Sequence, residues 1–328
     1  MFDRRKCLAG GIAAAAVAST GLIHRYRETR ASVFVAGNQR YDGPLDRTIR
    51  DGLLATGLDP TQLRGKRVLL KPNLVEPARA APQMTTHPAV VAAVAAVFHR
   101  WKAHVVVGEA PGHVRDTEWA LVESGMREAI DSERLEFADL NYEETTWVPN
   151  RGRASSMSGF HLPETVVSAD LIVSLPKLKT HHWMGMTGAL KNMYGVIPGI
   201  RYGWPKNVLH HHGIPQTVFD INASLPPMIT VVDGILAMEG DGPIMGSAKP
   251  MGLLVVGTNA TATDATICRL MKLEPKRIPY LQLAARRLGP IRLGAIDQVG
   301  ENLEDFASSF EILDRPHLQS MRASAKAT

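Results

Sequence analysis

Cysteine is nearly absent from this sequence: the 328 residues contain only Cys7 and Cys268. Cys7 sits in a leader-like N-terminus, which leaves the body one thiol. That excludes an internal disulfide in the body and an iron–sulfur cluster held by four of its thiolates. Long apolar runs are scarce too. The stretch Leu8–Ile23, 16 residues, is the one that approaches the roughly 20 needed to cross a bilayer, so a polytopic membrane protein is excluded. Charge of one sign is also lacking. The formal net charge is +5, but residues 1–30 supply most of it through Arg4, Arg5, Lys6, Arg25, Arg27 and Arg30 against Asp3 and Glu28. The nearly neutral remainder, with no zinc-finger spacing and no basic–aromatic stripe, gives no reason to expect nucleic acid. What is present is a 45% hydrophobic chain with 21% charged residues, long enough to bury a sizeable core and too apolar for disorder.

The N-terminus joins a charged start, Asp3-Arg4-Arg5-Lys6, to an Ala/Gly-rich apolar run and the small-x-small triplet Ala16-Val17-Ala18. These are the parts of an export signal. The Arg4-Arg5 pair followed by Leu8 resembles a twin-arginine signal, with Cys7 where an aromatic is usual. Residues 1–30 are therefore read as a leader that passes a folded chain to the twin-arginine export machinery and on to the periplasm. Retention of the leader as an anchor is the other reading.

In the body, short apolar runs read as buried strands: Val33–Ala36, Val68–Leu70, Val105–Gly108, Leu171–Leu175, Ile229–Val232 and Leu253–Gly257. Between some of them apolar residues recur every three or four positions, as at Val90, Val91, Val94, Val97 and Phe98 behind Pro88. Strands alternating with such helices predict an α/β protein with mainly parallel sheets flanked by helices, in two lobes with a cleft between them. The Ser/Gly/Arg-rich segment 151–163 is read as the link. The expected division is an N-terminal α/β lobe at 31–163, a C-terminal α/β lobe at 164–313 and a flexible polar tail at 314–328.

Parallel sheets bind ligands beyond the carboxyl ends of their strands. Four such ends here carry chemistry: Lys71-Pro72-Asn73; Gly108-Glu109 running on to Gly112-His113; Lys177-Leu178-Lys179-Thr180-His181-His182; and Asp233-Gly234. The densest stretch, Lys177 to His212, holds Lys191 and the triplet His210-His211-His212 and has no acidic residue. Its glycines and prolines predict loops that bring backbone close to a ligand. Lysines and free backbone N–H groups suit a carboxylate or phosphate. Histidines there suit proton transfer or metal ligation. The expected cleft therefore has Lys71, Asn73, Lys177, Lys179 and Lys191 holding an anion or cofactor. His113 and His181 serve as acid and base, and one or more of His210, His211 and His212 as metal ligands. Cys268, on a helical pattern beside Ile267 and Leu270, reads as core.

The stretches 68–75 (VLLKPNLV), 86–88 (THP), 175–181 (LPKLKTH), 187–192 (TGALKN), 233–235 (DGI) and 238–243 (MEGDGP) together resemble the family of the domain of unknown function DUF362. Some members of that family carry an added ferredoxin-like cluster domain. This chain does not, so the resemblance implies a separate ferredoxin-like partner for any electron-transfer role. The chain is more distantly similar to the nickel-pincer lactate racemase family. The similarity rests on Gly112-His113-Val114-Arg115, on His181 and Lys191 ten apart, on Pro198-Gly199 and on His210–His212. It implies Lys191 as the anchor of a nickel-pincer cofactor, one of His210–His212 as nickel ligand, and His113 and His181 as acid and base. The loop Gly188-Ala189-Leu190-Lys191 and the inserted Val114 depart from that family's pattern. The resulting expectation is an exported enzyme acting on a small anionic organic molecule. The alternatives are an anion- or metal-binding protein without turnover and a redox accessory.

Overall fold

A computed structural model describes residues 30–324. Apart from Arg30, the leader expected over residues 1–30 lies outside the described residues. The chain order of strands is β1 (Ala31–Ala36), β2 (Arg67–Pro72), β3 (His104–Glu109), β4 (Glu136–Asp139), β5 (Thr145–Pro149) and β6 (Gly159–Pro163). It continues with β7 (Leu171–Leu175), β8 (Lys177–His181), β9 (Gly185–Thr187), β10 (Met228–Glu239), β11 (Ser247–Gly257) and β12 (Ile296–Gly300).

Ten of these form one mixed, mainly parallel sheet in the order β12-β1-β11-β10-β7-β2-β3-β4, with β8 added to β10 and β9 to β8. β4, β3, β2, β7 and β10 run parallel to one another in that order, whereas β11 is antiparallel to both β1 and β10. The apolar runs are continuous rather than alternating because both faces of the sheet are covered. Leu69, Ile172, Val232 and Val255 point into one apolar cluster, with the helices Ile214–Ser224, Ala260–Leu270 and Pro279–Ala284. Their chain neighbours Leu70, Val173, Val231 and Val256 point into the other, with the helices Leu45–Ala55 and Pro88–Arg100. The two-residue period of a strand thus divides the core into two layers. Pro88 opens its helix at a position where no N–H is needed, and the His87 side chain accepts from Ala89 N at 3.1 Å to cap it. Cys268 is fully buried.

Strands from both sides of residue 163 lie in the one large sheet. The segment 151–163, read as a link, is fastened to the helix Ile214–Ser224. There the buried Asp220 carboxylate accepts from Asn150 Nδ2, Ala154 N and Ser155 N, each at 2.7 Å. The segment read as a polar tail from residue 314 is packed as far as Met321. Leu318 and Met321 are buried, and Arg322 bridges to Leu273.

The strand order reverses at β2, with β3 and β4 on one side and β7 and β10 on the other. A ligand crevice is expected where such a reversal leaves the strand ends diverging. Lys71 and Asn73 stand at that point.

Candidate functional site

A cavity of about 260 Å³ opens there. β2 contributes Lys71 and, just past its end, Asn73. β3 contributes Glu109 and the turn with Gly112 and His113. β8 ends on His181, and the short helix Ala189–Asn192 places Lys191 and Asn192 in the wall. Lys206 and His210 close the far side. The structure therefore brings Lys71, Asn73, His113, His181, Lys191 and His210 to one cavity.

It does not bring the remaining candidates there. Lys177 is buried on Asp233, with Nζ 2.7 Å from Oδ2, in a closed network that includes the Tyr41 hydroxyl at 3.1 Å. Lys179 donates to the carbonyls of Met84 at 2.7 Å and Pro243 at 3.2 Å, tying two loops together behind the wall. His211 is exposed, and His212 Nδ1 pairs with Ser156 Oγ at 2.8 Å. Successive residues of a helix point about 100° apart, so the short helix Asn207–His211 can aim one of these histidines inward. Among the described residues no group of three His, Cys, Asp or Glu side chains is placed to hold a metal ion. The donor set of a protein-ligated metal centre does not fit this cavity, and no step through a metal follows from it.

Lys71 and Glu109 form an ion pair at 2.5 Å with both side chains almost wholly buried. Burial pushes the Lys71 amine down and the Glu109 carboxyl up, each opposed by the charge of the other. The pair fits only because residue 195 is glycine, since a Cβ there would overlap both the carboxylate and the amine. Gly195→Ala is accordingly expected to cost roughly 1–3 kcal/mol through overpacking. Gly112→Ala, which would meet nothing within 4 Å, is the control. Thermal melts of the two variants make the comparison, and equal melting temperatures would contradict it.

Lys206 donates to the carbonyls of Ala110 at 2.8 Å and Tyr194 at 2.7 Å, and burial lowers its amine to about 7. Lys191 is different. Its Nζ lies 4.9 Å from the centre of the Tyr194 ring, and among the described residues it meets no hydrogen-bond or ion-pair partner. Burial alone lowers it to about 8. Its turn is held by Asp264, which accepts from Ala189 N at 2.6 Å and Leu190 N at 3.0 Å. Burial raises that carboxyl to about 7. Gly188 is required here because a Cβ would overlap Asp264.

His181 Nδ1 accepts from Trp183 N at 3.1 Å and from Met184 N at 3.4 Å. An accepting Nδ1 carries no proton, so the neutral ring holds its proton on Nε2. Burial and the neighbouring Lys191 charge keep this imidazole well below its ordinary range, hence neutral. His113 stands at the rim with Nδ1 3.8 Å from Glu76 Oε2 and is lowered chiefly by burial. His210, lowered to about 4 by burial and then by Lys191, packs between the Trp183 and Tyr194 rings.

Among the described residues, two buried polar atoms of the wall meet no hydrogen-bond partner: Asn73 Oδ1 and Thr187 Oγ1. The orientation of Asn73 is set by its neighbours. Asn192 Nδ2 donates to Lys71 O at 2.9 Å, so Asn192 Oδ1 must take the Asn73 Nδ2 proton at 3.0 Å, and Asn73 Oδ1 is left over. Glu109, Lys206, Asn192 and Thr187 were not singled out as site residues from the sequence. Glu109 is the last residue of the apolar strand β3, and that position at a strand end was the signal available for it.

Comparison with known proteins agrees with this chain's motifs. The sequence model of the domain of unknown function DUF362 matches residues 68–269. A thylakoid-associated protein of Synechocystis sp. is 30% identical over 229 residues, 69% of this chain and 68% of that relative. Among solved structures, the lactate racemase apoprotein from Thermoanaerobacterium thermosaccharolyticum superposes with a TM-score of 0.44 at 13% identity. The alignment covers 76% of this chain and 58% of that one.

Proposed function

The chain belongs to the DUF362 family, and from that premise we propose that it is an enzyme performing proton transfer on a small organic anion bound beside Lys191. One observation carries the reading. The cavity presents a lysine amine that lies over the Tyr194 ring and has no hydrogen-bond or ion-pair partner among the described residues, while Glu109, the one carboxylate among the lining residues described, is already committed to Lys71. Lys191 is half-buried; a cation partly withdrawn from water and left without a counter-charge is costly, and an anionic ligand supplies what it lacks. The unpartnered Asn73 Oδ1 asks the same ligand for a hydrogen-bond donor, such as a hydroxyl.

In this reading the two histidines divide the work. His181, neutral and protonated on Nε2, donates to an oxygen of the ligand. His113, unprotonated at neutral pH, takes the proton. Oxygen that gains charge as the proton leaves is then stabilised by the His181 donor and the Lys191 charge. Lys71 and Lys206 hold the floor in shape through Glu109 and the two carbonyls.

The sign of the pH dependence follows from Lys191. An anion binds its charged form, which prevails below a value of about 8. Affinity for acetate is therefore expected to be highest near pH 7 and to fall about tenfold by pH 9. Titration calorimetry across that range measures it, and affinity that stays flat or rises contradicts the role of Lys191. Turnover is tested in deuterium oxide with a panel of hydroxyl-bearing organic acids. Exchange of a carbon-bound proton supports an enzyme. Binding without exchange throughout the panel supports the second reading, an anion-binding protein.

An export-type leader and a relative named for its thylakoid association together support work outside the cytoplasm, at or near a membrane. Among the described residues no helix is long and apolar enough to cross one.

A further inference from the structure

The cavity has two chemically different ends. Its inner end is polar and closed, because Lys71, Glu109, Asn73, Thr187, Asn192 and Lys206 are all buried. Its outer end is not simply a polar rim. Trp183 lines the cavity while 45% exposed, and Ile244 lines it half-buried. Met245, next in the chain, is 78% exposed. Val75 and Pro205, also half-buried, continue the apolar wall.

Exposed large apolar side chains scattered singly need no explanation, but a cluster continuous with a cavity wall does. Trp183 is also held in place rather than loose. Its ring packs edge-on against His182 at 4.7 Å and His210 at 5.7 Å between centroids. A fixed aromatic face at the mouth of a cavity with cationic depths is suited to a molecule that is itself two-ended.

We infer that the ligand is an amphiphilic anion whose charged head lies at the buried lysine end and whose apolar chain or ring leaves along Trp183 and Ile244. This rests on the anion-binding reading above and narrows its substrate class. Size sets a limit, since only methylenes that lie against the cavity wall leave water, and those beyond Trp183 and Ile244 add nothing. Apolar transfer gives about fourfold in affinity for each methylene buried.

The experiment is titration calorimetry of the intact protein with straight-chain carboxylates from acetate to decanoate, and with alkylammonium ions of the same lengths. The expected result is a gain of about fourfold per methylene that levels off within the series once the chain passes the cavity mouth, with no such series for the ammonium ions. Trp183→Ala should flatten the slope against chain length, and Trp183→Phe should restore it. If all carboxylates bind with the same affinity as acetate, the amphiphile is wrong and the anion site stands. If Trp183→Ala weakens acetate and heptanoate equally, the apolar path along Trp183 is wrong. If ammonium ions bind and carboxylates do not, the anion reading falls with it.

Discussion

Lys191→Met is expected to weaken binding of carboxylates by roughly 30-fold to several-thousand-fold while leaving the unliganded protein at least as stable as before. The two effects have one cause. In the free protein Lys191 is half-buried with its amine beside the Tyr194 ring, and its partial withdrawal from water has already drawn it down to about 8. Methionine matches its length and shape without the charge, so the desolvation of a lone cation is relieved and the packing is kept. In the complex the balance reverses. Truncating one member of a desolvated charge pair costs about 2–5 kcal/mol, and every 1.4 kcal/mol is about tenfold. Calorimetric titration and a thermal melt of the same preparation read both quantities. Unchanged affinity would remove Lys191 from the site. A lower melting temperature would show that the amine is a structural strut, as Lys179 is through its bonds to Met84 and Pro243.

The second large effect is on stability. Lys71→Met leaves the Glu109 carboxylate buried without its cation, and breaking a buried pair from one side costs about 3–5 kcal/mol. At roughly 2–4 °C per kcal/mol the melting temperature should fall by roughly 6–20 °C. Lys71→Met combined with Glu109→Gln should recover part of that loss, because a neutral amide can keep the bond from Ala110 N, at 3.0 Å in the native chain, without burying a charge. A double variant no more stable than Lys71→Met would mean that the loss comes from the Lys71 stem and its packing rather than from the stranded carboxylate. The pair also explains why Lys191, rather than Lys71, is the lysine left available to a ligand.

Much of the architecture was legible from residues alone. Strands buried on both faces must be apolar throughout, so 68–70, 105–108 and 171–175 stood out as uninterrupted runs. The valine pattern behind Pro88 has the three- and four-residue spacing that a helix needs to cover a sheet. The rule that ligands gather at strand ends led directly to Lys71, Asn73, His113 and His181. The glycine-rich loop before Lys191 led to that residue, and Gly188 is small there because Asp264 reaches in to hold the turn.

Other features could not be read in this way. Lys177, Lys179 and His181 share one strand, β8, and look equivalent in a sequence. Pairing of β8 with β10, with its shift between Asp233 and Met238, buries Lys177 on Asp233 and Lys179 on two carbonyls and leaves His181 at the cavity. The histidines at 210–212 are neighbours in the chain but diverge in direction, and only the packing of their short helix decides that His210 faces inward. The neutrality of His181 depends on its burial beside Lys191, and its tautomer on two backbone N–H groups whose positions come from the turn after β8. Composition and periodicity therefore determined the strands, the layers and the end of the sheet where chemistry collects, because each of these follows from burial along a local stretch of chain. The tertiary structure alone decided which charges neutralise one another and which amine is left over, because that balance is struck between residues as distant as Lys71 and Glu109, or Ala189 and Asp264.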